Sequence, residues 1–323
     1  MKINSTLILL MTTMTVGVLV SLSSNSFMMM WIGLEISMIS FVPFMTLKGL
    51  IGSESSMKYF IVQSVSSSIF MLGIMIKIMY NMNFELMISI SLLIKIGMAP
   101  FHSWVLTVIE GLNYFLVFIL ISTMKIVPLF ILSMLNFNLN LVISLSLIIG
   151  SVMGLNQISI RKLMGYSSIF NMGFLVSVIK LNSLWIMFFI IYSIMVMIIL
   201  YIFYKINFNY LNQIMINEFD FKTKTSMWMC LLSMGGMPPL MGFLNKIMIF
   251  EYMFIIKNFM ILFFMMTSSL MVMFYYTRIS LLSLMNFSLM MKWNLNYMNS
   301  LSYFFMLSNL MLFMFFLMMK SLT

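Results

Sequence analysis

Apolar residues in this chain come in long unbroken runs, not in the three-and-four spacing of an amphipathic helix or the alternation of a half-buried strand, and short polar clusters punctuate the runs. Runs of this length cross a hydrocarbon core as helices, at about 20 residues per crossing. They predict spans near 5–24, 28–47, 57–78, 84–109, 112–135, 140–157, 163–180, 182–204, 225–249, 256–280 and 299–320. About 11 spans, at the length each crossing needs, describe an all-α polytopic membrane protein, with residues 1–323 as a single transmembrane domain. Lys2 gives the first span the outline of a signal peptide, but no A-x-A-like site follows Leu22, so the span is expected to stay in the mature chain. The longest connection, Lys205 to Thr225, holds Glu218, Asp220, Lys222 and Lys224 and reads as a surface loop with solvated charges.

Composition excludes a soluble enzyme: 63% of residues are hydrophobic and 7% charged, against about 25% charged in soluble domains. The cofactor inventory is equally narrow. One histidine, His102, does not supply two axial haem ligands, and one cysteine, Cys230, holds neither an iron–sulfur cluster nor an internal disulfide. No phosphate-gripping glycine motif is present, so no nucleotide site is expected. The net charge of +10 is scattered, with no basic patch longer than Arg161-Lys162, and nucleic-acid binding is not expected. The 45 methionines lack a helical spacing that would mark a binding stripe and read as flexible apolar filler.

Eleven spans put the termini on opposite sides. Ten basic residues, among them Lys48, Arg161, Lys162 and Arg278, then fall on the N-terminal side, against Lys77, Lys180, Lys257 and Lys320 on the other. The positive-inside rule places the N-terminus in the compartment where the chain is made. Three lysines remain that no loop claims: Lys95, Lys125 and Lys246.

Ionisable groups at bilayer depth are costly and by default mark an ion or proton path. At 1.5 Å per residue, Glu35 lies roughly 11 Å, Lys95 about 16 Å and Lys125 about 20 Å into their spans, near the middle of a core about 30 Å thick. A buried lysine tends to lose its proton, and a nearby carboxylate holds that proton on. Glu35 with Lys95 therefore makes a pair that loads and releases a proton as it closes and opens. A permanently closed pair that only fixes helix packing uses the same residues; three lysines at depth against one acid favour transport.

Helix breakers accompany the lysines. Pro100, in Lys95-Ile96-Gly97-Met98-Ala99-Pro100, removes a helical N–H and opens the helix beside Lys95. Ser233-Met234-Gly235-Gly236-Met237-Pro238-Pro239 does so more severely in the ninth span, with Lys246 within two turns. The carbonyls so freed can solvate a cation. Paired discontinuous helices of this kind are a transporter feature. His102 follows Lys95 by two turns, and an imidazole there suits proton entry; a hydrogen-bonded packing role fits a lone histidine equally well. Glu54, Glu85, Glu110 and Glu251 fall at span edges, where solvated or paired roles are the default.

Taken in order, these motifs resemble one family, chain 2 of mitochondrial NADH:ubiquinone oxidoreductase, respiratory complex I. The similar stretches are Trp31-Ile32-Gly33-Leu34-Glu35, Met57-Lys58-Tyr59-Phe60, Lys95 to His102, Lys125-Ile126-Val127-Pro128, Gly154-Leu155-Asn156-Gln157 with Arg161-Lys162-Leu163 and Tyr166-Ser167-Ser168, and Gly235 to Phe243 with Lys246. The resemblance implies an antiporter-like fold with two discontinuous helices, related to Mrp-type cation/proton antiporter subunits. It implies that Glu35 pairs with Lys95, that Lys125 continues a hydrophilic axis, and that Lys246 ends it. It implies a mitochondrial inner-membrane location, with the N-terminus in the matrix and the C-terminus in the intermembrane space. NADH, FMN, iron–sulfur clusters and ubiquinone would be bound by other subunits, and this chain would carry no cofactor. Expected partners are the membrane-arm chains 4, 4L and 5, accessory subunits, and phospholipids such as cardiolipin. The chain departs from the family pattern at Leu106, at Asn245 and Ile247 beside Lys246, and at Asn171, a position often histidine, which leaves His102 as the only imidazole. Two rival functions are a stand-alone cation/proton antiporter, which would usually carry more intramembrane acids, and a structural spacer in the membrane arm.

Overall fold

A computed structural model describes residues 5–46, 49–80, 85–213, 221–238 and 240–285. The described residues form thirteen helices: α1 (Ser5–Ser23), α2 (Phe27–Thr46), α3 (Leu50–Tyr80), α4 (Glu85–Ile96), α5 (Ser103–Gly111), α6 (Tyr114–Ile121), α7 (Thr123–Ser133), α8 (Asn140–Leu155), α9 (Ile160–Ser177), α10 (Asn182–Ile206), α11 (Phe221–Gly235), α12 (Met241–Ile255) and α13 (Phe259–Met285). The only β-type pairing among these residues is a single bridge, Ser159 to Tyr210. Helix is the outcome apolar surroundings demand, since every backbone N–H and C=O must be satisfied within the segment. The many serines follow suit by donating to carbonyls three residues back, as Ser37 does to Leu34 at 2.8 Å and Ser91 to Ile88 at 2.7 Å.

Helix occupies each of the first ten expected spans, and among the described residues six stretches are long and apolar enough to cross a membrane: Ser5–Ser23, Phe27–Thr46, Leu50–Met79, Tyr114–Ser133, Asn182–Ile206 and Phe259–Leu282. The eleventh expected span, together with Lys2, Lys48, Glu218, Asp220, Pro239, Lys292 and Lys320, lies outside the described residues. One loop expectation is corrected. Helix α11 starts at Phe221, and Lys224, expected among solvated loop charges, is buried within it. Nothing between Lys222 and Thr225 breaks a helix, so the ninth span begins about one turn before its apolar run.

The chain divides into two compact units, the first holding α1–α7 and the second α9–α13, with α8 split at Ser146 and Leu147. In the first unit α1 and α2 meet backbone to backbone. A Cβ on Gly33 would lie 2.6 Å from the Gly17 carbonyl oxygen and 2.8 Å from Ser21, and one on Gly17 would lie 2.8 Å from the Ser37 nitrogen. Gly17 with Ser21 and Gly33 with Ser37 thus form facing small-residue pairs at four-residue spacing, the arrangement that lets apolar helices associate closely. Glu35 sits between Gly33 and Ser37 on the same helix. Gly33→Val is expected to pry α1 from α2, at a cost of about 1–3 kcal/mol for overpacking, and to show as a lower thermal midpoint of the purified assembly; an unchanged midpoint would refute the close contact.

In the second unit α11 packs on α12 and α13, and α12 on α13. Both units contain a helix that stops at depth in the same way. In the first, Gly97 (φ 74) ends α4: its N–H reaches the Ile94 carbonyl at 3.1 Å and the Met98 N–H reaches Leu93 at 3.2 Å. In the second, Gly236 (φ 83) ends α11, with its N–H to Ser233 at 3.1 Å and the Met237 N–H to Leu232 at 3.1 Å. This is the Schellman cap, which needs a left-handed residue and hence glycine. Prolines follow each cap and prevent the helix from resuming its old hydrogen bonds.

Candidate functional site

In the first unit, α2 carries Glu35 and the last turn of α4 carries Lys95, and the two meet with Lys95 Nζ 3.7 Å from Glu35 Oε1. The side chains are 4% and 18% exposed, so the charges face each other with little water to screen them, which makes the pair stronger and its opening consequential. The separation exceeds a direct hydrogen bond, and Glu35 Oε1 has no hydrogen-bond partner among the described residues. Trp104, from α5, donates its indole N–H to the Ile94 carbonyl at 3.0 Å and so ties the two halves of the broken helix together beside Lys95.

Lys95 also faces a second lysine. A cavity with about 20 Å³ open to the centre of a water molecule is lined by Lys95 and Lys125, with Ser37, Tyr59, Gln63 and Trp104 among the remaining wall; a space of that size accommodates roughly one water. Lys125 is buried in α7, and that helix is separated from α6 by a break at Ser122, whose hydroxyl donates to the Phe118 carbonyl at 2.6 Å. The expected continuous span of 112–135 is therefore interrupted three residues before the lysine. The signal in the sequence was Pro128, whose ring disturbs the turn ahead of it. Gln63 and Tyr59, an amide and a phenol one turn apart on α3, went unremarked as polar groups at depth.

In the second unit the liberated carbonyl does what the helix break suggested. Residue 239 is proline, so the Gly235 carbonyl lacks the N–H that a continuous helix would bring to it. Lys246 of α12 replaces that donor: its Nζ lies 2.6 Å from the Gly235 oxygen and 5.4 Å from the centre of the Phe170 ring. A second cavity of about 20 Å³ is lined by Lys246 with Asn171, Tyr192, Ser233 and Asn245. The Asn245 amide donates to the Phe188 carbonyl at 3.3 Å. Gly236→Ala is expected to dislodge Lys246, since the added Cβ would come within 2.9 Å of its Nζ in a backbone conformation that L-residues avoid; a lysine-selective label reaching Lys246 no better than in the native protein would contradict this.

The other candidates stand apart from these groups. His102 sits on the turn before α5, half-exposed, with Nδ1 3.2 Å from the Pro100 carbonyl, and it is not part of the Lys95 cavity wall. Lys58 pairs with Glu54 at 2.6 Å on the exposed face of α3, a pair of small energetic weight. Glu110 and Glu251 are exposed. Among the described residues no three His, Cys, Asp or Glu side chains gather as a metal site requires.

Comparison with known proteins defines first a class and then a family. The family described as NADH:quinone oxidoreductase/Mrp antiporter, TM, matches residues 24–86 and 77–272. A chain of respiratory complex I from Thermus thermophilus, solved with bound aureothin, superposes with a TM-score of 0.83 at 18% identity, over 96% of this chain and 77% of that one. A chain of the Mrp complex from a Dietzia species gives 0.71 at 13% identity, over 84% and 59%. The fold is that of this antiporter-like class. NADH-ubiquinone oxidoreductase chain 2 of Anopheles gambiae is 38% identical over 94% of both chains, and that of Locusta migratoria 34% identical over 86% of this chain and 85% of its own. The chain belongs to the NADH-ubiquinone oxidoreductase chain 2 family.

Proposed function

We propose that this chain is a proton-translocating subunit in the membrane arm of respiratory complex I, and that reversible pairing of Glu35 with Lys95 gates a proton through Lys125 and on to Lys246. The observation that carries the reading is the double engagement of Lys95, which is held by Glu35 on one side and shares a cavity with Lys125 on the other. While the pair is closed, the carboxylate stabilises the ammonium; when it opens, Lys95 is a buried cation without a counter-ion and passes its proton across the cavity. Lys246, held by a backbone dipole and an aromatic face instead of a carboxylate, is the receiving end. Among the described residues its ammonium is stabilised by partial charges, which suits a group that must also give the proton up.

In this reading residues 1–323 form one transmembrane domain of eleven spans, with two discontinuous helices at Gly97 and Gly236 and with its N-terminus in the matrix and its C-terminus in the intermembrane space. The location is the mitochondrial inner membrane. NADH oxidation and ubiquinone reduction take place in other subunits, which hold the FMN and iron–sulfur clusters, and membrane-arm chains 4, 4L and 5, accessory subunits and cardiolipin flank this chain. His102, on the turn beside the first break, is the entry group.

The test is the proton-to-electron ratio of the assembled complex in sealed vesicles with Lys125→Met. A lowered ratio at normal assembly is expected. A native ratio at normal electron transfer would refute the relay and leave a structural spacer.

A further inference from the structure

Three tyrosines in the second unit have no place in the relay described so far. Tyr192 of α10 and Tyr275 and Tyr276 of α13 are all buried, and the hydroxyls of Tyr192 and Tyr275 have no hydrogen-bond partner among the described residues. Buried phenols normally find a partner, and leaving a hydroxyl without one is costly. Two in one cluster is an arrangement that packing alone would replace with phenylalanine.

The cluster has a direction. Along α9, Met164, Ser167 and Asn171 share one face and span about 10 Å at 1.5 Å per residue. The Tyr276 hydroxyl lies 3.9 Å from the Met164 sulfur, with the hydroxyls of Ser167 and Tyr275 as polar neighbours. The Tyr275 and Tyr276 rings are 4.6 Å apart. Further along, the Tyr192 hydroxyl has Tyr276 and Asn171 as polar neighbours, and the Asn171 amide donates to the Ser167 carbonyl at 2.9 Å, which leaves its oxygen available as an acceptor. Asn171 and Tyr192 are themselves part of the wall of the Lys246 cavity.

At its other end the cluster abuts an open cleft. The Tyr275 ring lies against Gly154, where an added Cβ would come within 3.1 Å of it. The residues that follow, Leu155, Asn156, Gln157 and Ile158, line a cleft of about 360 Å³ together with Leu211, Asn212 and Arg278. The Ser159–Tyr210 bridge and the Arg161 to Asn209 hydrogen bond of 2.8 Å fix the two loops that form its walls. Arg278 is one helical turn from Tyr275. The cleft thus begins next to the residue that packs on the Tyr275 ring.

We propose that Tyr275, Tyr276 and Tyr192 form a hydroxyl path that carries protons between the cleft at Asn156, Gln157, Asn212 and Arg278 and the amine of Lys246. The inference rests on the reading of Lys246 as a proton-accepting group. Each phenol oxygen accepts a proton from the side facing Lys246 as it passes its own O–H proton to the next oxygen toward the cleft, directly or through a bridging water. No phenol keeps a charge, and the first transfer converts the Lys246 ammonium to the amine. Spacings too long for direct hydrogen bonds are those that single waters bridge.

The experiment compares the assembled complex in sealed vesicles as native, Tyr192→Phe, Tyr275→Phe, the double Phe variant, Lys246→Met, and Tyr204→Phe, an exposed tyrosine on α10. Proton-to-electron ratio, electron-transfer rate and thermal midpoint are read in each. Because the two hydroxyls make no direct hydrogen bond among the described residues, the Phe variants should assemble and melt as native, which separates this role from a structural one. The proposal expects the double variant to fall to the ratio of Lys246→Met while Tyr204→Phe stays native. A native ratio in the double variant beside a lowered one in Lys246→Met overturns the hydroxyl path alone. A native ratio in Lys246→Met overturns both the path and the relay. Should the double variant fail to assemble, the single variants decide by the same ratio.

Discussion

Lys95→Met is expected to abolish the contribution of this chain to proton pumping, and to slow coupled turnover by about tenfold or more, the factor that 1.4 kcal/mol on the limiting step represents. The substitution keeps an unbranched side chain one atom shorter and removes its charge. It leaves the largely buried Glu35 carboxylate without the cation 3.7 Å away. Breaking a buried pair by removing one partner costs about 3–5 kcal/mol, so the single variant alone does not separate a relay from a structural bond. The pair of variants does. Glu35→Gln with Lys95→Met removes both charges and the penalty, and is expected to restore assembly to the native level while pumping stays lost. A double variant that pumps normally would show that the ion pair serves packing, and the relay reading would fall.

The second large effect is expected from Gly242→Ala. Gly242 is the second residue of α12 and touches the Ser233 carbonyl of α11; a single added methyl would overlap that oxygen and lie 2.8 Å from its carbon. Both collisions are with backbone, and no side-chain rotation relieves them. The helices must separate, and Lys246, one turn after Gly242 on the same face, moves off the Gly235 carbonyl that lies 2.6 Å away. The expected result is a severe loss of assembled complex, with a reduced proton-to-electron ratio in whatever remains. Native amounts with a native ratio would mean that α11 and α12 do not approach as closely as described.

The two breaks show how one sequence device yields two chemistries. Each has a glycine with positive φ at the cap and proline just beyond it. In the first, the lysine precedes the cap and is turned toward a carboxylate on a neighbouring helix. In the second, the lysine follows the break and folds back onto the carbonyl that the proline released. Glycine and proline spacing announced both breaks, because those residues act on the backbone within a few positions of themselves. The interruption at Ser122 was missed because serine is common inside these helices, where its hydroxyl usually returns to the preceding turn without breaking it.

Glu35, Lys95 and Lys125 were legible in the sequence for a one-dimensional reason, and Lys246 through the helix break that precedes it. Depth along a spanning helix follows from residue count and a fixed rise per residue, and a charge far from either end of an apolar run has nowhere to go but the protein interior. What a deep residue faces is a different quantity. In a soluble protein the apolar stripe reveals the buried side of a helix, but a helix in lipid is apolar all round, and its pattern carries little information on azimuth. Only the packing of helices decided that Lys95 shares a cavity with Lys125, that Lys246 takes a backbone carbonyl, that Lys224 is buried, and that three buried tyrosines gather in one cluster. The amino-acid sequence by itself determined which groups lie at depth and where the helices break; the tertiary structure chose their partners, because close contacts such as Gly17 with Gly33 and Gly242 with Ser233 set how each helix is turned.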